Sequence, residues 1–127
     1  MADVTPILED RPLTQQEVSL VRWLLEHGTS EAVAFLPQLE RARVASRCSC
    51  GCPSINFTVD GRTPPAGAGM QILSDYCWDD SAGHSYGVFA FACGGMLAGL
   101  EVWWIDGLGE DCKLPAIEEL KPLNALM

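Results

Sequence analysis

The N-terminal third of the chain carries apolar residues at helical spacing. In LTQQEVSLVRWLLEHG, the apolar positions 18, 21, 24 and 25 fall on one face of a helix. Thr14 and Glu17 have the spacing of a capping box, and Gly28 is a typical helix stop, so we expect a helix over about 14–27. TSEAVAFLPQLERARV predicts a shorter helix over about 30–42, and the brief connection between the two predicts a helical hairpin.

Beyond residue 43, apolar positions alternate with polar ones, which is the pattern of half-buried strands. Ile55, Phe57 and Val59 lie on one side of such a strand, and Asp60–Gly61 ends it with a turn. The predicted strands cover about 44–50, 54–60, 71–78, 86–93 and 97–105.

The stretch Ser85–Asp106 has the length and apolar character of a membrane span, with Glu101 as its only interior charge. However, no basic residues flank it, and Gly94–Gly95 at its centre suits a two-residue hairpin turn. That turn predicts the pairs Cys93 with Met96, Phe91 with Ala98 and Phe89 with Leu100. One face of the hairpin is then entirely apolar: Phe89, Phe91, Cys93, Met96, Ala98, Leu100, Val102 and Trp104. We expect the helices to pack on that face, and we expect no membrane span.

These patterns together predict an α+β fold. The N-terminal helical hairpin would pack on an antiparallel sheet of about four to five strands. We expect one domain over residues 1–127, because no stretch has the length and composition of a linker.

The chain is acidic, with 17 Asp and Glu against 8 Lys and Arg and a formal net charge of −9. Nucleic acid is therefore not expected as a partner, since its binding depends on Lys and Arg that neutralise phosphates. An acidic surface can instead attract a basic protein, and solubility alone is the alternative. MADVTPILEDRP shows no export signal, so we expect a cytoplasmic location in which the six cysteines stay reduced.

Three cysteines alternate in RCSCGCPSINF: Cys48, Cys50 and Cys52. In one extended strand their side chains would project from points about 6.6 to 7 Å apart, whereas zinc holds each thiolate at about 2.3 Å. A bend at Gly51 or Pro53 is therefore needed before the three thiols can bind one zinc or copper(I) ion. Buried reduced cysteines are the alternative, and both interpretations stay open.

Cys77 is a second candidate for chemistry. SDYCWDDSAGHSYG contains a thiol, acids and His84, which are the residue types of an activated nucleophile. The nearby acids would raise the pKa of Cys77, and Asp79–His84 is typical of a solvated hairpin loop. The chain also contains no nucleophile elbow and no phosphate-binding glycine motif. We therefore expect no catalytic activity, and a thiol enzyme centred on Cys77 stays an alternative.

The sequence favours a small acidic binding protein, of the kind that acts as an immunity-type or regulatory partner of a basic protein. Trp103 and Glu101 share a strand face and can contribute to a surface patch. The candidate partner-binding residues are Trp103, Glu101, Asp106, Glu110 and Asp111. A homodimer through the same patch and a metal-binding protein using the cysteine run are the alternatives.

The run R-C-S-C-G-C-P-S-I-N-F at 47–57, the helix before it and G-M-L-A-G-L-E-V-W-W-I-D-G after it resemble a group of small bacterial proteins. Members share an R-C-x-C-G-C-P strand and a G-L-E-V C-terminal strand. The resemblance covers most of the chain. It implies no activity and no site residues, because none is established for that group.

Overall fold

A single antiparallel sheet of seven strands dominates the computed structural model, in which residues 6–49, 52–105 and 113–122 are described. The strands are β1 (Ile7–Pro12), β2 (Ala42–Arg47), β3 (Ile55–Val59), β4 (Met70–Asp79), β5 (Ser85–Cys93), β6 (Met96–Trp104) and β7 (Lys121–Pro122). Their order across the sheet is β1-β2-β3-β6-β5-β4-β7. The alternating pattern predicted β2 to β6 to within about three residues.

The helix α1 (Gln15–Glu26) begins where the sequence predicts. Thr14 and Glu17 form the capping box: the Glu17 amide donates to Thr14 Oγ1 at 3.1 Å, and the Thr14 amide donates to Glu17 Oε1 at 2.8 Å. The buried residues Leu20, Val21, Leu24 and Leu25 give α1 one apolar stripe. This part of the prediction is confirmed.

The predicted α+β fold, with a helical hairpin on four to five strands, is wrong. The second helix is a 3₁₀ turn, Ala32–Phe35, followed by the single α-turn α2 (Leu36–Leu39), and neither has a side-chain N-cap. Inside a continuous helix over 30–42, Pro37 would lack its amide hydrogen bond and clash with the preceding turn, whereas it is tolerated in the first turn of α2. The last residue of the predicted helix, Ala42, instead begins β2. The pairing of β2 with Ile7–Pro12 adds the edge strand β1.

The β5–β6 hairpin has the predicted two-residue turn. Gly94 and Gly95 have φ values of 57° and 76°, and Cys93 pairs with Met96. Further along, the predicted register is wrong, because the ladder contains a bulge at Ala98. The observed pairs are Ala92 with Leu97, Phe91 with Gly99, Ala90 with Leu100 and Phe89 with Glu101.

The bulge changes which side of β5 faces the helix. The buried side of the hairpin consists of Tyr86, Val88, Ala90, Ala92, Leu97, Leu100 and Val102. These residues share one core with the stripe of α1. The prediction that the helices pack on the face containing Phe89 and Phe91 is therefore wrong. Because side chains alternate along a strand, Phe89 and Phe91 lie on the opposite side of the sheet. We call that side the second face; it includes Ile72, Asp75, Phe89, Phe91, Glu101 and Trp103.

The stretch considered above as a membrane span is thus a pair of strands. Within the described ranges, no helix is both long enough and apolar enough to cross a membrane.

Candidate functional site

A row of three residues crosses the second face on adjacent strands. Phe89 of β5 pairs with Asp75 of β4 on one side and with Glu101 of β6 on the other. Paired residues in an antiparallel sheet project to the same side, so the side chains of Asp75 and Glu101 leave the sheet on either side of Phe89. With strands about 4.8 Å apart, the backbones of Asp75 and Glu101 are separated by about 10 Å. The sheet therefore presents an aromatic ring between two acids.

Both carboxyls of this row are partly buried, and neither forms an ion pair with another described residue. Asp75 Oδ1 is inaccessible to solvent and accepts no hydrogen bond. Burial raises the pKa of Asp75, and burial likewise raises the pKa of Glu101. A buried acceptor without a donor costs free energy, about 1 to 3 kcal/mol for a polar group. Both acids thus lie where a positively charged group would be stabilising.

The ion pairs that the structure describes do not involve this row. The basic side chains in ion pairs contact other carboxylates: Arg11 with Glu17 and Glu9, Arg41 with Asp60, Arg43 with Asp10, Arg47 with Glu9, and Lys121 with Asp79. All eight Lys and Arg lie in the described ranges, and none of them forms an ion pair with Asp75 or Glu101 there. Within the described ranges, no Lys or Arg therefore supplies this row with a cation.

Two glycines on the second face let aromatic rings lie flat across the neighbouring strand. A Cβ on Gly87 would overlap the indole of Trp103, and a Cβ on Gly99 would lie 2.9 Å from the Phe91 ring. The rings of Phe89 and Phe91 are 5.9 Å apart between centroids. Trp103 remains 37% exposed. The row of acids is thus bordered by aromatic surface along β5.

This arrangement suits an organic cation better than a metal ion. Ca²⁺ takes its oxygen ligands at about 2.3 to 2.6 Å, and two carboxyls on backbones about 10 Å apart with a ring between them do not converge in that way. A guanidinium or ammonium group above Phe89 can instead contact the ring face and be near both carboxylates. A cation over an aromatic ring is worth about 0.5 to 2 kcal/mol.

The cysteine run lies in the connection between β2 and β3 and is not one continuous strand. Cys48 lies at the start of this loop and Cys52 near its end, and both contact Ser54. The Cys48 amide donates to Ser54 O at 3.2 Å, and Cys52 Sγ donates to Ser54 Oγ at 3.4 Å. Cys50 lies outside the described residues. Within the described ranges, no group of three or more His, Cys, Asp or Glu residues could hold a metal ion. A three-thiolate site for zinc or copper stays a prediction.

Cys77 has the environment of a structural thiol. It is 1% exposed, and its Sγ contacts the carbonyl oxygens of Lys121 and Pro122 at 3.5 and 3.7 Å. Burial raises the pKa of Cys77, whereas a thiol nucleophile needs a lowered pKa. Three residues further along, Asp80 accepts hydrogen bonds from the amides of Ala82 and His84 at 2.9 Å and so stabilises the β4–β5 loop.

Two of the five predicted partner-binding residues, Glu101 and Trp103, lie together on the second face. The other three, Asp106, Glu110 and Asp111, lie outside the described residues. Sequence reasoning missed Asp75 and Phe89. The only signal for Asp75 was an acid within the otherwise alternating strand SDYCW, and the predicted register placed Phe89 in the core.

In comparisons with known proteins, no family model, no curated protein and no solved structure matches the chain.

Proposed function

We propose that this chain is a non-catalytic binding protein that takes a basic side chain of a protein partner on the second face of its sheet. The observation that carries the proposal is the Asp75–Phe89–Glu101 row, in which two partly buried acids project on either side of an aromatic residue and form no ion pair within the described part of the chain. The net charge of −9 favours approach of a basic partner at long range. Glu101 and Trp103 keep the role predicted from the sequence, and Asp75 and Phe89 join them.

Charge repulsion within the row supports this proposal. Two like charges about 10 Å apart repel by about 0.4 kcal/mol in water and by about 1.7 kcal/mol at an effective dielectric of about 20. The attraction of a guanidinium to both carboxylates outweighs that repulsion. Each hydrogen bond from the guanidinium to a carboxylate is worth about 1.5 to 3 kcal/mol. The same row would repel an acidic or phosphorylated partner.

The test is a titration of ¹⁵N-labelled protein followed by NMR. The probe is the peptide acetyl-Gly-Gly-Arg-Gly-Gly-amide, and its control carries Glu in place of Arg. We expect the Arg peptide to shift the backbone amides of Asp75, Phe89 and Glu101 and the Trp103 indole. Binding should weaken as salt rises from about 0.05 to 0.5 M, because screening reduces attraction between exposed charges.

Variants locate the binding. Glu101→Gln and Asp75→Asn should each weaken the Arg peptide by about fivefold or more. Glu40→Gln removes an exposed acid elsewhere and should leave affinity unchanged. Equal shifts from the Arg and Glu peptides, or unchanged affinity in both Glu101→Gln and Asp75→Asn, would contradict the proposal.

A further inference from the structure

An apolar cavity lies on the second face beside the acidic row. Its volume is about 380 Å³, and Phe91, Cys93, Ala98 and Asn56 are in its wall. Phe91 pairs with Gly99, which pairs with Asn56, so these residues form the next row across the same face. Phe91 is two positions from Phe89 on β5, and the cavity therefore begins one side-chain repeat away from the Asp75–Phe89–Glu101 row.

The chemistry of the cavity differs from that of the acidic row. Among the described residues, its wall includes no charged side chain, and its polar members, such as Ser46 and Asn56, are neutral. Asn56 Nδ2 donates to Ser46 Oγ at 3.0 Å, so these two polar groups already contact each other. Four other cavities of similar volume each include a charged residue in their walls. This cavity therefore suits an uncharged, apolar side chain.

We propose that the second face recognises an extended partner segment with a basic residue and an apolar residue two positions apart. Side chains two apart on an extended chain project to the same side about 6.6 to 7 Å from each other. The rings of Phe89 and Phe91, one in each row, are 5.9 Å apart. A segment with its cation over Phe89 thus presents its next same-side residue to the cavity beside Phe91. This inference rests on the proposed function and adds the partner's side-chain pattern.

The test uses peptides that differ at one position. Acetyl-Gly-Arg-Gly-Leu-Gly-amide and its reversed order, acetyl-Gly-Leu-Gly-Arg-Gly-amide, are compared with versions in which Ser replaces Leu. Two orders are needed because the segment can lie in either direction. We expect one Leu peptide to bind about fivefold to tenfold more tightly than its Ser version, since burying a Leu side chain is favourable. It should also shift the amides of Phe91, Cys93 and Ala98.

Spacing and cavity volume are varied next. A peptide with adjacent Arg and Leu should lose the Leu advantage, because neighbouring residues project to opposite sides. Cys93→Met adds volume to the cavity wall and should remove the Leu advantage while leaving the Arg-dependent binding intact. Cys93→Ser keeps the size of the side chain and should retain the advantage.

The outcomes separate this inference from the proposed function. If Arg is required but the Leu and Ser peptides bind equally, the apolar half is overturned and the cation site stands. If adjacent Arg and Leu bind as tightly as the spaced pair, the extended two-residue spacing is overturned. If no peptide binds and the same amides respond only to protein concentration, the occupant is a second copy of this chain, and both the pattern and the proposed partner are overturned.

Discussion

Glu17 is a buried acid with partners in the chain, whereas Asp75 and Glu101 are partly buried acids that form no ion pair within the described residues. Burial would raise the pKa of Glu17, but hydrogen bonds from Arg11 and from the Thr14 backbone hold its pKa below the ordinary value. Arg11 is bidentate, with Nη1 at 2.9 Å from Oε1 and Nη2 at 3.1 Å from Oε2. Asp75 and Glu101 have burial without such partners, so their pKa values are raised.

The difference separates an acid that stabilises the fold from acids that cost stability. At the start of α1, the Glu17 carboxylate accepts a hydrogen bond from the Thr14 amide, and its charge is balanced by Arg11. On the second face, two acids are kept in an unfavourable environment and pair with no Lys or Arg of the described residues. Costs of this kind are typical of binding and catalytic sites, where function rather than stability selects the residue.

The largest expected effect compares two phenylalanines on opposite faces of the sheet. Phe57 is 1% exposed in the core, so Phe57→Ala should lower the free energy of unfolding by about 3 to 5 kcal/mol. Phe89 is only partly buried, so Phe89→Ala should cost less than half as much and yet weaken binding of the Arg peptide by about twofold to thirtyfold. Urea denaturation and the NMR titration measure the two quantities. Similar stability losses with binding retained in Phe89→Ala would break the comparison.

Glu17→Gln should have the next largest effect. It removes the charge paired with Arg11 and weakens the capping box, so unfolding should become easier by about 1 to 2 kcal/mol at pH 7. Because folding lowers the pKa of Glu17, its contribution is present above the unfolded pKa of about 4.3 and is lost as pH falls through the lower folded pKa. Urea denaturation at pH 7 and at pH 3 should show the difference from wild type shrinking in acid. A constant difference would contradict this account of Glu17.

Asp75→Asn and Glu101→Gln should change stability in the opposite direction. Folding raises the pKa of each acid, so ionisation above the folded pKa costs stability, and the cost disappears as pH falls. Each variant should therefore be more stable than wild type at pH 7, by about 0.5 to 1 kcal/mol. The gain should vanish near pH 4. Variants that are less stable at pH 7 would show that the acids serve the fold, as Glu17 does.

The elements that sequence could predict are those specified by local chemistry. The capping box and apolar stripe specify α1, and the Gly94–Gly95 turn specifies the hairpin. The edge strand β1 could not be predicted, because Ile7–Pro12 lacks alternation and depends on pairing with β2. The 3₁₀ turn replaced a predicted helix because Pro37 and the lack of a cap left too few stabilising bonds.

The site was harder to predict because two single-residue bulges decide which residues pair across the strands. The bulge at Ala98 moves the partner of Phe89 from Leu100 to Glu101. A second irregularity in β4, between Ile72 and Ser74, brings Asp75 opposite Phe89. Neither bulge has a sequence signal of the strength of a glycine turn or a helix cap. The sequence therefore predicted that Glu101 and Trp103 share a strand face, but it did not predict that Asp75 and Phe89 lie on the same face.

Gly87→Ala should change stability by no more than Asp75→Asn and Glu101→Gln do, and it tests whether Trp103 belongs to the binding surface. A Cβ at Gly87 would overlap the indole, and since Trp103 is 37% exposed its ring can swing away from the sheet. We expect a loss of about 1 kcal/mol or less, together with a large shift of the Trp103 indole proton in the NMR spectrum. If the indole forms part of the cation site, affinity for the Arg peptide should fall about threefold or more. A displaced indole with unchanged affinity would confine the site to Asp75, Phe89 and Glu101 and would remove Trp103 from it.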